Sequence, residues 1–316
     1  RQRPIGPLVA ALRGMGAAIT YTGKQGYPPL KIAPAALSGN VTIDAGMSSQ
    51  YISALALIGP YLKKGLTLTL TGNITSKPYI DMTLSLLSSI GAKSTFKGHD
   101  IRILPLKKSN KVKIAVEGDW SSASYFYSLV ALSKKRCVHL SSFKTNSLQA
   151  DATLASLYET LGVTTTAIDS QTIALSKNDA PLPAGFKADL TPSPDLAQTI
   201  AVTCFGLGIA CHLTGLHTLK IKETDRLVAL QNELTKLGAV VHITKDTLVI
   251  ESHEIAFGNR TQDIEIATYD DHRMAMAFGV LAELFSVTIQ DPMVVTKSYP
   301  TYYSDLKKMG IIADFC

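Results

Sequence analysis

The feature that most constrains the fold of this chain is an internal repeat. Helix-like segments that end in a hydrophobic residue followed by glycine recur along its 316 residues, and the glycines are 75, 71, 76 and 72 residues apart. A glycine after the last apolar turn is a helix C-cap signal, because glycine adopts the left-handed backbone conformation at little cost. A period this regular predicts one supersecondary unit used several times. The glycines are Gly16, Gly91, Gly162, Gly238 and Gly310.

Each period contains about the same elements. Strand patterns such as "AVVHIT" and "TLVIES" follow the capped helix, then comes a second, more apolar helix, and another strand pattern leads to the next capped helix. The alternation predicts an α/β or mixed α+β fold. The apolar helices have no polar face, so we expect them to lie inside, wrapped by sheets. These helices are "SQYISALALIGPYL", "SASYFYSLVAL", "DLAQTIAVTCFGLG" and "HRMAMAFGVLAELF".

Composition narrows the function classes. Hydrophobic residues are 46% and charged residues 18%, which is typical of a protein with a large core, and the length suits two domains, placed at 1–118 and 119–316. No apolar segment is long enough for a membrane helix. The net charge of +6 fits a protein that handles anions, but scattered Lys and Arg with 7% aromatics argue against nucleic acid. Four cysteines without a C-x-x-C pair predict reduced thiols in the cytoplasm and no metal cluster.

The segment "YDDHRMAMAF" places charged residues where an apolar helix begins. Asp270 or Asp271 can cap that helix, but Arg273 and a protonated His272 would meet the positive end of the helix dipole. The arginine is favourable there if a multiply charged anion binds at the helix start, held by both the dipole and the guanidinium. The sequence therefore predicts an anion site at this position.

Other polar clusters at helix starts have a structural and a functional interpretation. "IKETDRL" is typical of a solvated helix start, which its composition alone favours, but two cations beside a carboxylate also fit an anion site with an acid or base. Serines in "SSQYIS" and "WSSASYF" are N-caps or phosphate ligands, and spacing does not choose between them. Because such clusters recur, we expect several helix starts to converge on one cleft for a polyanionic ligand. The remaining clusters are Asp195 after Pro194, Ser76 to Tyr79 around Pro78, and Lys297 in a loop.

The strings "RPIGPLVAALRGMGA", "SSQYISAL", "SKPYIDMTL", "EGDWSSASYF", "IKETDRL", "TYDDHRMAMAF" and "TKSYPTYY" occur in this order from Arg3 to about Met309. In this order they resemble the 5-enolpyruvylshikimate-3-phosphate synthases. The resemblance implies the enolpyruvyl transferase fold, with inside-out, barrel-like α/β domains of repeated βαβαββ units. It implies transfer of the enolpyruvyl group of phosphoenolpyruvate to the 5-hydroxyl of shikimate 3-phosphate, releasing phosphate, in aromatic amino acid biosynthesis. It also implies a monomer that uses no metal or organic cofactor.

The same resemblance implies roles for individual residues. Asp195 would take the proton of the 5-hydroxyl, and Glu223 would protonate the methylene carbon of phosphoenolpyruvate and later remove a proton, with Lys222 and His272 assisting. Phosphoenolpyruvate would contact Arg3, Gln50, Arg226, Arg273 and Lys297. Shikimate 3-phosphate would contact Ser48, Ser49, Gln50, Ser76, Tyr79, Asp195, Thr218 and Lys222.

Two departures from the family pattern bear on these expectations. Thr218 stands where many relatives have asparagine, which leaves its ligand role open. The family also has roughly a further hundred residues before the segment matching Arg3, so we expect residues 1–118 to be an incomplete shikimate 3-phosphate domain. Residues 119–316 would then be the domain that binds phosphoenolpyruvate and carries the acid and base, and the chain alone would be inactive. The alternatives are an enolpyruvyl transferase acting on UDP-N-acetylglucosamine, against which "SKPYID" and "DDHRMAM" argue, and a folded core that only binds anions.

Overall fold

A computed structural model describes residues 4–46, 48–134, 136–252 and 264–315. The chain divides into two compact units. Unit 1 is Arg1–Ala115 with Leu148–Ala150, and unit 2 is Val116–Ser147 with Asp151–Cys316. The boundary predicted between residues 118 and 119 falls just inside unit 2, and the functions assigned to the two sides stay predictions.

Unit 1 is built around one four-stranded sheet, in the order β3-β4-β6-β5. β3 and β4 are parallel, and the chain passes from one to the other through α2. The chain then continues through α3 to β5 and β6, which join the sheet antiparallel. Its elements are α1 Gly6–Gly14, β1 Ala18–Tyr21, β2 Leu30–Ala33, β3 Asn40–Asp44, α2 Ser49–Ile58, β4 Leu66–Thr71, α3 Lys77–Ser89, β5 Ser94–Lys97 and β6 Asp100–Ile103.

Unit 2 contains the same connection again. The sheet β10-β11-β13-β12 has the same order and the same mixture of parallel and antiparallel pairs as the sheet of unit 1. Two smaller sheets, β7-β9-β8 and the parallel pair β14-β15, flank the other helices. The elements are α4 Trp120–Leu132, β7 Cys137–Ser141, α5 Leu154–Glu159, β8 Val163–Ala167, β9 Thr172–Lys177, β10 Gly185–Asp189, α6 Ala197–Gly206, β11 Ala210–Thr214, α7 Arg226–Lys236, β12 Val241–Ile243, β13 Leu248–Ile250, β14 Glu265–Ile266, α8 His272–Gly279, β15 Thr288–Ile289 and α9 Tyr302–Lys308.

The five repeat glycines end five helices, α1, α3, α5, α7 and α9. All five have a left-handed backbone, with φ between 82° and 105°. At the end of α7, for example, Gly238 N–H donates to Thr235 O at 2.9 Å, and Ala239 N–H donates to Leu234 O at 3.0 Å. These bonds satisfy carbonyls that the helix itself leaves without donors. The repeat and its caps, predicted from sequence, are confirmed.

The central helices of unit 2 are buried as predicted. In α4 every residue except Ser122 is buried, in α6 all are buried, and in α8 only Arg273 is not. α6 packs against α4, α7, α8 and β11. α4 also contacts α5 and the sheet β7-β9-β8, and α8 also contacts β15 and the turn Pro292–Lys297. A helix surrounded in this way has no solvent face, which explains the missing polar stripe in the sequence.

The same prediction is wrong for α2. Only Ile52, Leu55 and Ala56 are buried in this helix, and Leu57 is 52% exposed. The physical reason is that α2 packs mainly against α3, whereas α6 packs against three other helices and a strand. An apolar sequence shows that a helix can be enclosed, but enclosure needs neighbours on every side.

Candidate active site

Parallel strands bring several helix starts of unit 2 to one edge. Because β10 and β11 are parallel, the segments that leave their carboxyl ends begin side by side. Asp195 lies in the short 3-10 turn after β10, and Lys222 to Arg226 follow β11. The parallel pair β14 and β15 is followed in the same way by the start of α8 and by the turn Pro292–Lys297.

Arg226 is the centre of the resulting cluster. Its side chain is 2% exposed, and its guanidinium donates to three carboxylates. Nε donates to Asp271 Oδ2 at 2.6 Å, Nη1 to Asp195 Oδ1 at 2.9 Å and Nη2 to Glu223 Oε2 at 2.8 Å. A planar fork with donors on several sides can make these bonds at once, so Arg226 fixes the carboxylates relative to one another.

Asp195 is surrounded by cations. Besides Arg226, its carboxylate contacts Lys222 Nζ at 3.2 Å and Arg273 Nη2 at 3.2 Å. Burial alone would raise the pKa of Asp195, but Arg273, Lys222 and Arg226 together lower the pKa well below its usual value. The carboxylate is therefore ionised at neutral pH, and its side chain remains 31% exposed.

Glu223 is the second carboxylate of the cluster. Lys297 donates to its Oε1 while Arg226 occupies Oε2. Burial would raise the pKa of Glu223, but Arg226 and the Lys297 hydrogen bond lower it to about 2. The neighbouring cations thus lower the pKa of both Asp195 and Glu223.

Arg273 lies at the start of α8, where its charge meets the positive end of the helix dipole. Asp271 caps this helix by accepting from Arg273 N–H at 2.9 Å, and the same carboxylate holds Arg226. The Arg273 guanidinium turns toward Asp195 and also donates to Ser121 Oγ at 3.3 Å. Burial disfavours its charge, yet Asp195 raises the pKa of Arg273 above its ordinary value. A carboxylate from another helix thus balances the cation that the helix dipole opposes.

His272 is neutral in this environment. It is 6% exposed, and burial together with Arg273 lowers its pKa to about 4. Its Nδ1 lies 3.6 Å from Asp271 Oδ1, too far for a hydrogen bond. The sequence left open a histidine cation at this helix start, and the structure excludes it near neutral pH.

The polar residues implied for shikimate 3-phosphate lie in both units. In unit 1, Ser48 is the N-cap of α2 and Ser76 the N-cap of α3. β3 and β4 are parallel, so these two helix starts share one edge of their sheet. Ser49, Gln50 and Tyr79 lie in the first turns of the same helices.

Two further residues, Thr218 and Arg3, were expected to bind a substrate. Thr218 in unit 2 is buried just before Lys222, and its Oγ1 has no hydrogen-bond partner within the described ranges. Arg3 lies outside the residues that the structure describes.

Three residues of the cluster were missed as site residues. Asp271 was identified only as a possible cap, although it also holds Arg226. Ser121 could not be chosen over Ser122, and the structure separates them: Ser121 faces Arg273, while Ser122 bonds the capping Asp119. Asp151, which accepts from Ser121, had no local sequence signal at all.

The described part of the chain offers no group of His, Cys, Asp and Glu that could hold a metal ion. The site's chemistry rests instead on the cations Lys222, Arg226, Arg273 and Lys297 and the carboxylates Asp195, Glu223 and Asp271. Such a set can bind an anion and can accept or return protons.

Comparison with known sequences gives extensive matches. The sequence profile of a family described as EPSP synthase (3-phosphoshikimate 1-carboxyvinyltransferase) matches residues 1–306. A 3-phosphoshikimate 1-carboxyvinyltransferase from Bacteroides fragilis (strain YCH46) is 42% identical, over 98% of this chain and 75% of that protein. One from Xenorhabdus nematophila is 36% identical, over 98% of this chain and 71% of that protein.

Solved structures give the same fold. An EPSP synthase from Acinetobacter baumannii superposes with a TM-score of 0.73 at 24% identity, covering 98% of this chain and 71% of that one. An enolpyruvyl transferase from Streptomyces tendae superposes with a TM-score of 0.69 at 16% identity, covering 98% and 72%. The predicted fold class, repeated βαβαββ units with buried helices, is confirmed.

Proposed function

The chain belongs to the EPSP synthase family of transferases, and on that premise we propose that it transfers the enolpyruvyl group of phosphoenolpyruvate to the 5-hydroxyl of shikimate 3-phosphate, releasing phosphate. One observation carries the proposal. Two ionised carboxylates, Asp195 and Glu223, are held by a single guanidinium and bordered by the cations Lys222, Arg273 and Lys297. Two anionic substrates and a proton transfer require this combination.

Phosphoenolpyruvate binds to the cations that can reach it. Lys297 is 49% exposed and the Arg273 side chain 14%, so both can exchange a carboxylate partner for a substrate anion. The expected contact of Arg226 with phosphoenolpyruvate stays a prediction, although its guanidinium already donates to three carboxylates. We assign Arg226 the role of fixing Asp195 and Glu223 in place. The contacts of Arg3 and Gln50 with phosphoenolpyruvate stay predictions.

The reaction is an addition followed by an elimination. The oxygen of the 5-hydroxyl bonds to the carbon of phosphoenolpyruvate that carries phosphate, while Asp195 takes the hydroxyl proton. Glu223 delivers a proton to the methylene carbon, which becomes a methyl group. Phosphate then leaves with the electrons of its carbon–oxygen bond, and Glu223 takes a methyl proton back, which restores the double bond.

The lowered pKa values of Asp195 and Glu223 must rise for these steps. At neutral pH a carboxyl group with a pKa near 2 is almost entirely deprotonated, so it has no proton to donate. Its carboxylate is also a weak base. When substrate anions bind Arg273 and Lys297, the charges that lower the pKa of Asp195 and of Glu223 are partly neutralised. Substrate binding therefore prepares both groups for proton transfer.

Shikimate 3-phosphate binds through its phosphate, its hydroxyls and its carboxylate. We propose that the helix starts at Ser48, Ser49 and Gln50 and at Ser76 and Tyr79 supply donors to it, since helix N-termini and hydroxyls bind phosphate. Lys222, which contacts Asp195 at 3.2 Å, would bring the shikimate hydroxyls to the base. Thr218 would supply one further hydroxyl.

The proposal is tested by an activity assay on the purified protein. Incubation with both substrates is expected to release phosphate and to give the vinyl proton signals of an enolpyruvyl ether by NMR. Asp195→Asn keeps the shape of the side chain but removes the base, so kcat is expected to fall by about 10²–10⁴. Phosphate release without a vinyl product, or full activity of the variant, would contradict the proposal.

Other expectations stay predictions. Gel filtration checks the monomer. A cytoplasmic location is likewise a prediction. Among the described residues no helix has the length and apolar character needed to cross a membrane.

A further inference from the structure

The hydroxyl of Ser121, at the start of α4, lies between two charged groups of unit 2. Arg273 Nη2 donates to Ser121 Oγ at 3.3 Å, and Ser121 Oγ donates to Asp151 Oδ2. Ser121 is 6% exposed and Asp151 is fully buried. The enolpyruvyl transfer proposed above uses Arg273 but assigns no part to the two residues behind it.

The hydrogen bonds from Arg273 through Ser121 to Asp151 run in one direction. A guanidinium only donates and an ionised carboxylate only accepts, whereas a hydroxyl has a single proton. Asp151 takes that proton, so a lone pair of Ser121 faces Arg273. The carboxylate therefore sets the orientation of the hydroxyl, and the oriented hydroxyl accepts from the guanidinium.

Arg273 is thus held by two residues. Nη2 donates to both Asp195 Oδ2 at 3.2 Å and Ser121 Oγ at 3.3 Å, and Nη1 donates to the backbone carbonyl of Asp195 at 3.4 Å. If Ser121 could not accept, Asp195 would remain as the residue holding the guanidinium. A full pair with Asp195 would withdraw the cation from an incoming anion, and it would also hold the carboxylate of the base.

We propose that Ser121 and Asp151 are positioning residues, which hold the Arg273 guanidinium partly away from Asp195 so that it stays available to phosphoenolpyruvate. The inference rests on the proposed function, because it concerns the same anion site. Asp151 supports the cation electrostatically as well, since after Asp195 and Tyr125 it contributes to the raised pKa of Arg273.

The chain offers a matched control one turn further along α4. Ser124 is also buried, and its hydroxyl bonds Ser121 O at 2.6 Å and Thr199 Oγ1 at 3.0 Å. Ser124→Ala therefore removes a buried hydroxyl from the same helix without touching Arg273. It measures what the loss of such a bond does to packing alone.

The first experiment compares Ser121→Ala with Ser124→Ala in steady-state kinetics and thermal unfolding. Ser121→Ala is expected to raise the KM for phosphoenolpyruvate roughly tenfold, with a smaller change in kcat, because a hydrogen bond to a charged group is lost. Ser124→Ala is expected to lower Tm by about as much as Ser121→Ala does, and to leave the KM for phosphoenolpyruvate unchanged. Equal effects of the two variants on KM would overturn the proposal.

The second experiment asks whether Asp151 acts through Ser121. Asp151→Asn keeps an oxygen that accepts the serine proton, so KM is expected to change by less than about threefold, whereas Asp151→Ala should match Ser121→Ala. The double variant Ser121→Ala with Asp151→Ala should have the same KM as either single variant, because both residues act through the same series of hydrogen bonds. If Asn and Ala at 151 give the same KM and the double variant is additive, Asp151 acts only by its charge and the proposal fails.

A third measurement needs no turnover. In protein labelled with ¹⁵N-arginine, a guanidinium held by two residues rotates slowly and gives separated Nη signals, which Arg273→Lys identifies by their loss. Ser121→Ala is expected to shift the Arg273 Nη signals, because Nη2 then donates to Asp195 alone, whereas Ser124→Ala should leave them unshifted. Merged signals in the unaltered protein would overturn the positioning role. Absence of transfer activity with separated signals would instead count against the proposed function alone.

Discussion

At the scale of single residues, Arg226 shows why a buried ion cluster is sensitive to geometry. One guanidinium satisfies Asp271, Asp195 and Glu223, of which Asp271 is completely buried. A buried carboxylate that loses its cation keeps the cost of its desolvation without compensation. The cluster is therefore stable only while all its members are bonded.

Arg226→Lys is expected to lower the free energy of unfolding by about 3 kcal/mol, because an ammonium cannot bridge three carboxylates from one position. Denaturant titration of the whole protein measures this loss of stability. Lys308→Met, which breaks an exposed pair with Asp305 in the same unit, should cost less than about 1 kcal/mol. A loss as small as that of the control would contradict the bridging role.

His272 gives stability a dependence on pH. Its pKa is lowered to about 4 in the folded protein, and the ordinary pKa of histidine is 6.5. The unfolded chain therefore takes up a proton first as the pH falls, and the stability contributed by the neutral ring is lost between pH 6.5 and about 4. Above pH 6.5 that contribution is complete.

His272→Gln is expected to flatten this part of the stability profile. Between pH 6.5 and 4.5 the Tm of the variant should fall less steeply than that of the unaltered protein. The contributions of Asp195 and Glu223 begin to be lost near their ordinary pKa values of 3.8 and 4.5, at the lower end of this window, and they are common to both proteins. Parallel profiles would show that the histidine is not held neutral.

The sequence predicted the anion site at Arg273 but not the groups that hold the arginine. A charge opposed by a helix dipole is visible in ten consecutive residues. Its partners are not, because Asp195 is 78 positions away and Ser121 is 152 positions away. Contacts across such separations depend on the packing of α4, α6 and α8, which no local pattern contains.

At the scale of elements, the helix ends were predictable because their chemistry is local. Gly310 ends α9 with φ at 82°, and a Cβ there would meet nothing within 4 Å. The only cost of a side chain at this position is therefore the backbone conformation. Burial of α2 was not predictable in the same way, because it depends on neighbours rather than on the helix itself.

Gly310→Ala is expected to lower the free energy of unfolding of unit 2 by about 1 kcal/mol, because a non-glycine residue is strained at positive φ. Gly14→Ala is the matched control: it lies inside α1 in unit 1, and its Cβ would also have open space. There alanine should be neutral or stabilising by up to about 1 kcal/mol. Equivalent losses at both positions, measured by thermal unfolding of each unit, would contradict the capping role.

At the scale of the whole molecule, the repeat explains why helix starts gather at one edge of a sheet. Each βαβ connection returns the chain in parallel, so the helix that follows each strand starts at the same edge. In unit 2 this gathers Asp195, Lys222, Glu223, Arg273 and Lys297 from the segments that follow four strands, β10, β11, β14 and β15. The sequence predicted converging helix starts, and within unit 2 the structure brings them together.

Arg273 is the cation of this cluster that we propose binds phosphoenolpyruvate. The most direct measurement compares Arg273→Ala with the unaltered protein in the dissociation constant of phosphoenolpyruvate and in Tm. We expect affinity to fall roughly a hundredfold, because a charge-assisted pair is lost, while Tm changes by only a few degrees. A large loss of Tm with unchanged affinity would contradict the account and make the arginine a structural residue.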